Sequence, residues 1–251
     1  MPVPALSCLP ERLHDSVWRA ADAAAGMAAP VVASGHGALD AELPGGGWPL
    51  GALCEVLQPP RARHEWPLVL PALAAHLRAG GRAVLVGAPL EPFTPALQAA
   101  GVQARQLCCI SAQGALAAWA CEQALRCRDV RAVLAWLPLA QPAMLRRLQL
   151  AAAQQQPLLW VFRPEQMRLE ASPAPLRLAL QARGTVLLAH VFKRRGPPQE
   201  RPVALPACAP ALGATLQAQA LRRPLGPAPA GAASTDGRVL HALAGVAAAT
   251  P

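Results

Sequence analysis

The fold of this chain is decided by the stretch GALCEVLQPPRARHEWPLVLPALAAHLRAGG, which covers residues 51–81. Its first part, residues 51–57, is a short apolar run that predicts a buried strand. Residues 66–77 carry apolar side chains at helical spacing, and the glycine pair that follows them is typical of the end of a helix. The loop between the two elements reads QPPRARHEWP. A strand, a loop and a helix in this order surround phosphate-binding loops, so the residues of the loop decide whether a nucleotide binds here.

The loop lacks the residues that a phosphate-binding loop needs. Such loops use glycines so that backbone N–H groups can curl around phosphate, a lysine for the β- and γ-phosphates, and a Ser or Thr for Mg²⁺. None of these residues occurs in QPPRARHEWP, and Pro59 and Pro60 have no backbone N–H to donate. Arg61 and Arg63 could attract phosphate, but the only lysine of the chain is Lys193. We therefore expect a solvated loop and no ATP hydrolysis at this position.

A central strand that ends in a Mg²⁺-binding acid is the second requirement of nucleotide hydrolysis. The run VRAVLAWLP reaches Trp136 near its end and offers no Asp or Glu. Glu91 follows an earlier strand, where it is typical of a surface or helix-capping residue. The motif G-x-S-x-G is also missing, and Ser34, His36 and Asp40 fit the start of a short helix better than a catalytic triad. These defects predict a protein that is not an enzyme and holds no cofactor.

Downstream of residue 81, predicted strands alternate with predicted helices. The strands fall at RAVLVGA, RQLCCIS, VRAVLAWLP and PLLWVFRP, and the helices at residues 93–100, 113–126 and 144–155. This alternation is typical of right-handed βαβ units in a mostly parallel sheet. Between residues 175 and 196 two apolar runs flank Gly184 without a helix, which predicts a β-hairpin that closes one edge of the sheet. The predicted fold class is therefore α/β, with a mostly parallel central sheet flanked by helices.

The overall composition predicts a soluble, cytoplasmic protein and leaves the question of an anionic partner open. The 251 residues include 23 Lys and Arg against 14 Asp and Glu, and the net charge of +9 favours nucleic acid or an acidic protein surface. An arginine-rich coding bias explains the same excess, so charge alone leaves both interpretations open. The first residues do not follow the pattern of a signal peptide, and no uncharged run reaches the length of a membrane span.

The chain contains seven cysteines, whose odd number and irregular spacing favour neither a disulfide framework nor a zinc site. Most of them lie in apolar runs and are expected to be reduced core residues. The adjacent pair Cys108 and Cys109 lies in a predicted strand, which favours two buried thiols over a nucleophile.

Three segments are expected along the chain. Residues 1–30 are predicted to form an N-terminal helical segment, and residues 31–200 the core domain. Residues 201–251 are rich in proline and alanine, which predicts a largely disordered tail with one short helix near residues 212–222.

Several stretches, taken together, resemble the RecA core and, more closely, the ImuA family of RecA- and SulA-like proteins. They are SGHGALDAELPGGGWPLGALCEVL, AVLAWLP, LRRLQLAA, FRP and KRRGPP. The resemblance to RecA covers residues 31–195 and implies a RecA-like core. ImuA-type proteins are associated with damage-induced translesion DNA synthesis, where they act beside RecA and ImuB, an inactive relative of Y-family polymerases. The resemblance therefore implies a non-catalytic adaptor of a mutasome, with RecA and an ImuB-type protein as partners.

The resemblance also implies where one partner binds. In RecA filaments a basic pair on a late core strand reaches toward the neighbouring protomer, and Lys193 and Arg195 match that pair. The basic cluster of Lys193, Arg194 and Arg195 is therefore expected to contact RecA or the ImuB-type protein.

Two further surfaces follow from the same resemblance. The loop that would bind nucleotide has lost its functional residues, so Arg61, Arg63 and Glu65 are expected to be protein contacts instead. The segment that matches the second DNA-binding loop of RecA covers residues 163–173, and its Arg163 and Arg168 are candidates for DNA contact.

Two other functions remain open at this point. One is a SulA-like inhibitor of cell division that binds a tubulin-like protein, for which filamentous cells on expression of the protein alone would be evidence. The other is a DNA-binding ATPase with an unconventional nucleotide site, which ATP turnover would reveal.

Overall fold

The computed structural model of the chain describes residues 30–60, 62–196 and 199–208. The predicted N-terminal helical segment and nearly all of the predicted tail, with its short helix, lie outside these residues, as does Arg61. The described elements are β1 (Val31–Val32), α1 (Gly37–Asp40), β2 (Trp48–Pro49), β3 (Leu53–Gln58), α2 (Glu65–Leu77), β4 (Arg82–Val86), α3 (Thr94–Ala99), a 3₁₀ helix (Ala104–Gln106), β5 (Leu107–Ile110), α4 (Gly114–Arg126), β6 (Val130–Trp136), α5 (Pro142–Gln155), β7 (Leu158–Pro164), a second 3₁₀ helix (Glu165–Leu169), β8 (Leu176–Arg183), β9 (Val186–Lys193) and β10 (Val203–Pro206).

The main sheet has eight strands in the order β10-β9-β8-β3-β7-β6-β4-β5. The strands from β8 to β5 in this order are parallel to their neighbours, whereas β9 is antiparallel to both β8 and β10. The predicted α/β class with a mostly parallel sheet is therefore confirmed. The strand β3 lies inside the sheet between β7 and β8, although it is the first of the eight along the chain.

The side chains of the parallel strands point alternately into two hydrophobic cores. On β3, Leu53 contributes to the core under α4 and α5, whereas Cys54 and Val56 contribute to the core under α1, α2 and α3. In the second core the rings of Trp48 and Trp160 meet edge to face, with centroids 5.7 Å apart. Because helices cover both faces, these strands read as continuous apolar runs rather than as alternating ones.

The predicted β-hairpin is present, but it does not form the edge of the sheet. Strands β8 and β9 pair across the turn at Gly184, and β10 then pairs with β9 and lies outside it. The prediction that the tail begins at residue 201 is therefore wrong for residues 203–206. Four residues beside prolines give too weak a strand signal on their own, and the segment is ordered by pairing with β9. Nearby, Gln199 accepts a hydrogen bond from the backbone N–H of Val191 through its Oε1.

Ser34, His36 and Asp40 form local hydrogen bonds around the short helix α1, although none of their side chains caps its first turn. The N–H of His36 donates to Ser34 Oγ at 3.0 Å, and the N–H of Ser34 donates to Asp40 Oδ1 at 2.7 Å. The ring of His36 bonds to the carbonyl oxygen of Pro67 through Nε2 at 3.0 Å. The imidazole is thus held against α2 instead of facing the Ser34 hydroxyl as a catalytic base.

Candidate functional site

A cleft of about 610 Å³ opens at the carboxyl ends of β3, β4, β6 and β7. In open α/β sheets, ligands bind outside the carboxyl ends of the strands, at the point where the chain changes direction across the sheet. That point is β3 here, because the chain leaves β3 toward β4 and later returns to β8 on its other side. Residues that line the cleft include Gln58, Arg63, Gln113, Trp136, Gln141 and Phe162.

A glycine at the end of β4 allows three strand ends to meet at the cleft. Gly87 has a φ of +67°, and a Cβ at this position would lie 2.9 Å from the carbonyl oxygen of Ala112 and 3.2 Å from that of Trp136. Its N–H donates to the carbonyl oxygen of Ile110 at 2.9 Å. A larger residue would push the ends of β4, β5 and β6 apart, so Gly87 helps to set the shape of the cleft.

The electrostatic character of the cleft is mildly positive. Helices α4 and α5 begin there, and their N-cap residues, Gln113 and Gln141, make no side-chain capping bond to the first turn. The N–H groups of a helix's first turn carry partial positive charge. Arg63 adds a guanidinium at the rim, and none of the described lining residues is acidic. Such a cleft favours neutral or anionic groups over cations.

The loop between β3 and α2 folds into a network of side-chain hydrogen bonds. Gln58 Nε2 donates to Glu65 Oε2 at 3.0 Å, and the backbone N–H of His64 donates to Gln58 Oε1 at 3.2 Å. From the end of β6, Trp136 Nε1 donates to Glu65 Oε1 at 3.3 Å. The Trp136 ring packs on Phe162 with centroids 4.8 Å apart. Gln58, Glu65 and Trp136 therefore bond to one another at the ends of β3 and β6, where a phosphate-binding loop and a strand-end acid would act, and Gln58 and Trp136 line the cleft.

Two of the three residues predicted as protein contacts in this loop can be located. Arg63 is exposed at the rim of the cleft, where it is available to a partner. Glu65 is only 2% exposed, and its carboxylate is engaged by Gln58 and Trp136. The prediction that Glu65 is a surface contact is therefore wrong, because α2 turns its first residue inward under the strand ends.

A second polar network lies deeper, in the middle of the sheet. Glu55 on β3 is fully buried and accepts from Arg163 Nη1 at 2.6 Å and from Arg177 Nε. Arg163 Nη2 also donates to the carbonyl oxygen of Ala140 at 2.7 Å, and Arg177 Nη2 donates to that of Met167 at 2.8 Å. The arginines come from the neighbouring strands β7 and β8, so the network joins three adjacent strands.

Sequence reasoning missed this network, although a signal was present. Glu55 is the one charged residue in the apolar run that forms β3, and a carboxylate buried in a parallel sheet needs a charged partner. The identity of Arg163 and Arg177 as partners depends on which strands flank β3, which the sequence pattern does not state.

The two candidates for DNA contact differ in exposure. The Arg163 side chain is 1% exposed and is paired with Glu55, so the prediction that it contacts DNA is wrong. Arg168 is exposed, and its guanidinium lies 4.8 Å from the centroid of the Phe192 ring and bonds to His190 Nδ1 at 3.2 Å. Its position remains compatible with contact to an anionic partner.

The predicted basic cluster lies at the opposite end of the sheet from the cleft. Lys193 pairs in register with Arg177 at the start of β8, and its Nζ donates to the carbonyl oxygen of Ser172 at 2.7 Å. Arg194 is mostly buried and pairs with Glu42 at 2.7 Å, whereas Lys193 and Arg195 are exposed. The structure therefore does not bring this cluster together with Arg63.

The cysteines fall into two groups. Burial raises the pKa of the Cys54 thiol well above its usual range, and burial with a smaller contribution from Glu122 raises that of Cys121 to about 12. These two are inert core residues. Cys108 and Cys109 are exposed, so the prediction that both are buried is wrong, because β5 is an edge strand.

No protein-family model matches the chain, and no curated protein matches its sequence significantly. Within residues 30–60, 62–196 and 199–208, no three His, Cys, Asp or Glu side chains are grouped as metal ligands. In the same part of the chain, no helix has the length and apolarity that crossing a bilayer requires.

Proposed function

We propose that this protein is a non-catalytic, RecA-like adaptor in the cytoplasm, which coordinates RecA and an ImuB-type partner in damage-induced translesion DNA synthesis. The main support for a non-catalytic protein is the network of Gln58, Glu65 and Trp136. These side chains bond to one another at the strand ends where a related enzyme carries its phosphate-binding loop and its Mg²⁺-binding acid. A protein that keeps the fold but lacks the groups for nucleotide chemistry is suited to recognition rather than catalysis.

The arrangement of the sheet supports the RecA-like part of the proposal. The strand that precedes the loop lies inside a mostly parallel sheet, and an antiparallel hairpin follows the last parallel strand. This is the order of elements that the resemblance implies for residues 31–195.

The separation of the two basic surfaces supports an adaptor with two partners. Arg63 lies at the carboxyl ends of the parallel strands, whereas Lys193 and Arg195 lie at their amino ends. Two acidic partners could therefore bind at the same time without competing for one surface.

Co-purification with RecA and with an ImuB-type protein tests this proposal. We expect Lys193→Glu with Arg195→Glu to weaken binding of one partner, and Arg63→Glu to weaken binding of the other. Arg78→Glu with Arg128→Glu changes the same charge at other exposed positions and should leave both interactions intact. If the wild-type protein captures neither partner, the proposal fails.

Calorimetric titration with ATP and Mg²⁺, followed by a turnover assay, tests the non-catalytic part separately. We expect neither binding heat nor phosphate release. ATP turnover that Trp136→Phe or Glu65→Gln alters would show that the network is part of an active site and would overturn this part of the proposal.

A further inference from the structure

The strand β5 (Leu107–Ile110) forms one edge of the main sheet. Its inner side pairs with β4, and none of the described strands pairs with its outer side. Both central residues, Cys108 and Cys109, are exposed. An exposed edge presents unpaired N–H and C=O groups, which are a template for pairing with another strand.

The opposite edge of the sheet is protected in a way that β5 is not. The edge strand β10 contains Pro206 and directly follows Pro202, and a proline cannot donate to a strand ladder. The four residues of β5 are Leu, Cys, Cys and Ile, without a proline or a charge. Only one of the two edges therefore carries the features that discourage strand addition.

The backbone of β5 shows which groups are available. The carbonyl oxygen of Ile110 accepts from the N–H of Gly87, so Ile110 turns its backbone groups toward β4. In a parallel pair this orientation alternates along the strand, so Cys108 also faces inward. Leu107 and Cys109 consequently present their N–H and C=O groups to the outer side.

Exposed apolar side chains flank this edge on both faces of the sheet. Ile110 packs against the core under α4, which places Cys108 on that face, where α4 exposes Leu116 and Trp119 to 61% and 57%. Leu107 packs against the other core, which places Cys109 on the opposite face.

The segment between β4 and α3 begins at the end of the strand next to β5 and leads to α3, which packs on the Cys109 face. The segment exposes Leu90 and Phe93 to 66% and 72%. The exposed Glu91 belongs to this segment, which follows the carboxyl end of β4, where Val86 pairs with Ile110 at the carboxyl end of β5. The edge therefore has an acidic group toward its carboxyl end, and the exposed Arg105 lies two residues before its amino end.

We propose that β5 pairs antiparallel with β5 of a second copy of this chain, about a two-fold axis perpendicular to the sheet. An isologous contact needs a surface that complements itself, and an antiparallel strand edge meets this condition. The contact would join the two eight-stranded sheets and cover apolar side chains that a monomer leaves exposed on both faces.

The symmetry requires one residue to lie on the axis, and only an axis at one of the two central residues pairs three of the four residues of β5 with the second strand. Directly opposite residues of an antiparallel pair point to the same face, and an axis perpendicular to the sheet keeps each residue on its own face. The residue on the axis must therefore face its own counterpart, either Cys108 or Cys109.

Charge favours the register centred on Cys108. An axis at Cys109 would bring the two Glu91 carboxylates toward each other. An axis at Cys108 places Cys109 opposite Leu107 of the second copy, and brings Glu91 toward Arg105 of that copy. Each dimer then contains two such attractive pairs.

Oxidative cross-linking tests the register. In a background with Cys8→Ser, Cys127→Ser and Cys208→Ser, mild oxidation should give a covalent dimer. Opposed Cα atoms in antiparallel strands lie about 4.5–5.5 Å apart, which a disulfide can span. Adding Cys109→Ser should preserve the cross-link, and adding Cys108→Ser should abolish it. The reverse result, or no cross-link in the background protein, would overturn the proposal.

Light scattering over a concentration series tests the dimer itself. Under reducing conditions we expect a mass of two chains, and Cys108→Lys should weaken dimerisation about tenfold or more because two like charges then face each other. Cys108→Ser is the matched control and should remain dimeric with an unchanged circular dichroism spectrum. A monomer at every concentration, a ladder of larger assemblies, or a dimer that tolerates Cys108→Lys would each contradict the inference.

A charge exchange separates the proposed pairing from other contacts. Glu91→Arg and Arg105→Glu should each weaken the dimer. The double variant should restore it, because a positive charge at position 91 then faces a negative charge at position 105 of the other copy. If the double variant is weaker than both single variants, Glu91 and Arg105 do not meet across the axis and the proposed register is wrong.

Discussion

One polar cluster lies at the carboxyl ends of the strands and the other in the middle of the sheet, and they differ in charge. In the loop network, Glu65 is the single charged group, and neutral donors on Gln58 and Trp136 satisfy it. In the ion network, Glu55 is held between two arginines, and all three side chains are at most 6% exposed. A buried ion is tolerated only while its partners remain, whereas a neutral donor can be lost at the price of one hydrogen bond. The two clusters should therefore respond very differently to substitution.

The largest effect is expected for Glu55→Gln. The change keeps the size of the side chain but leaves two buried guanidinium groups without their shared carboxylate, which should lower the free energy of unfolding by about 3–5 kcal/mol. Urea denaturation measures this loss. Glu122→Gln is the matched control, since Glu122 also pairs with two arginines, but these are 54% and 69% exposed. Its loss should not exceed about 1 kcal/mol, and equal losses for the two variants would contradict the comparison.

Arg163→Met should be the next most destabilising change. Glu55 keeps its bond to Arg177, but the carbonyl oxygen of Ala140 loses a charged donor, so we expect a loss of about 3 kcal/mol. A double-mutant cycle with Glu55→Gln should show that the combined loss is smaller than the sum, because both changes break the same pair. If the two losses in the free energy of unfolding simply add, the two residues do not interact in solution.

A smaller effect is expected for Trp136→Phe in the loop network. The phenyl ring can keep the contact with Phe162, while Glu65 loses one of its two side-chain donors, for a loss of about 1–2 kcal/mol. Trp119→Phe provides the control, because that ring is 57% exposed and its change should be almost neutral. A larger loss at position 136 than at position 163 would reverse the order of the two clusters.

The smallest effect is expected for Arg168→Gln, at the border of the ion network. Arg168 and Arg177 both lie against Phe192, but only Arg168 is exposed, and exposed cation–π contacts contribute about 0.5–1 kcal/mol. Thermal unfolding resolves a change of this size when several protein preparations are compared. Arg128→Gln, at another exposed position, should leave the unfolding temperature unchanged.

The strands and helices with a strong periodic pattern could be predicted from the sequence. Which of these elements lie next to each other in the fold could not. The alternation of strands and helices gave the parallel sheet and the hairpin, because each pattern is local. Glu65 was misjudged because its burial depends on Trp136, 71 residues away. The exposure of Cys108 was missed for a related reason: an apolar run reads the same at an edge as in the middle of a sheet. The RecA-like identity of the core and its role in translesion synthesis remain predictions.

The position of β3 has a consequence for how the protein is made. During synthesis this strand emerges first among the eight, but its neighbours follow much later, and 108 residues separate Glu55 from Arg163. Folds with such distant pairings form slowly, and an apolar strand is prone to aggregate until its partner strands have been synthesised. Charged residues within apolar segments act as gatekeepers against that aggregation. The Glu55 carboxylate, which is a structural ion in the finished sheet, would thus serve first to keep the nascent strand in solution until its two arginines leave the ribosome.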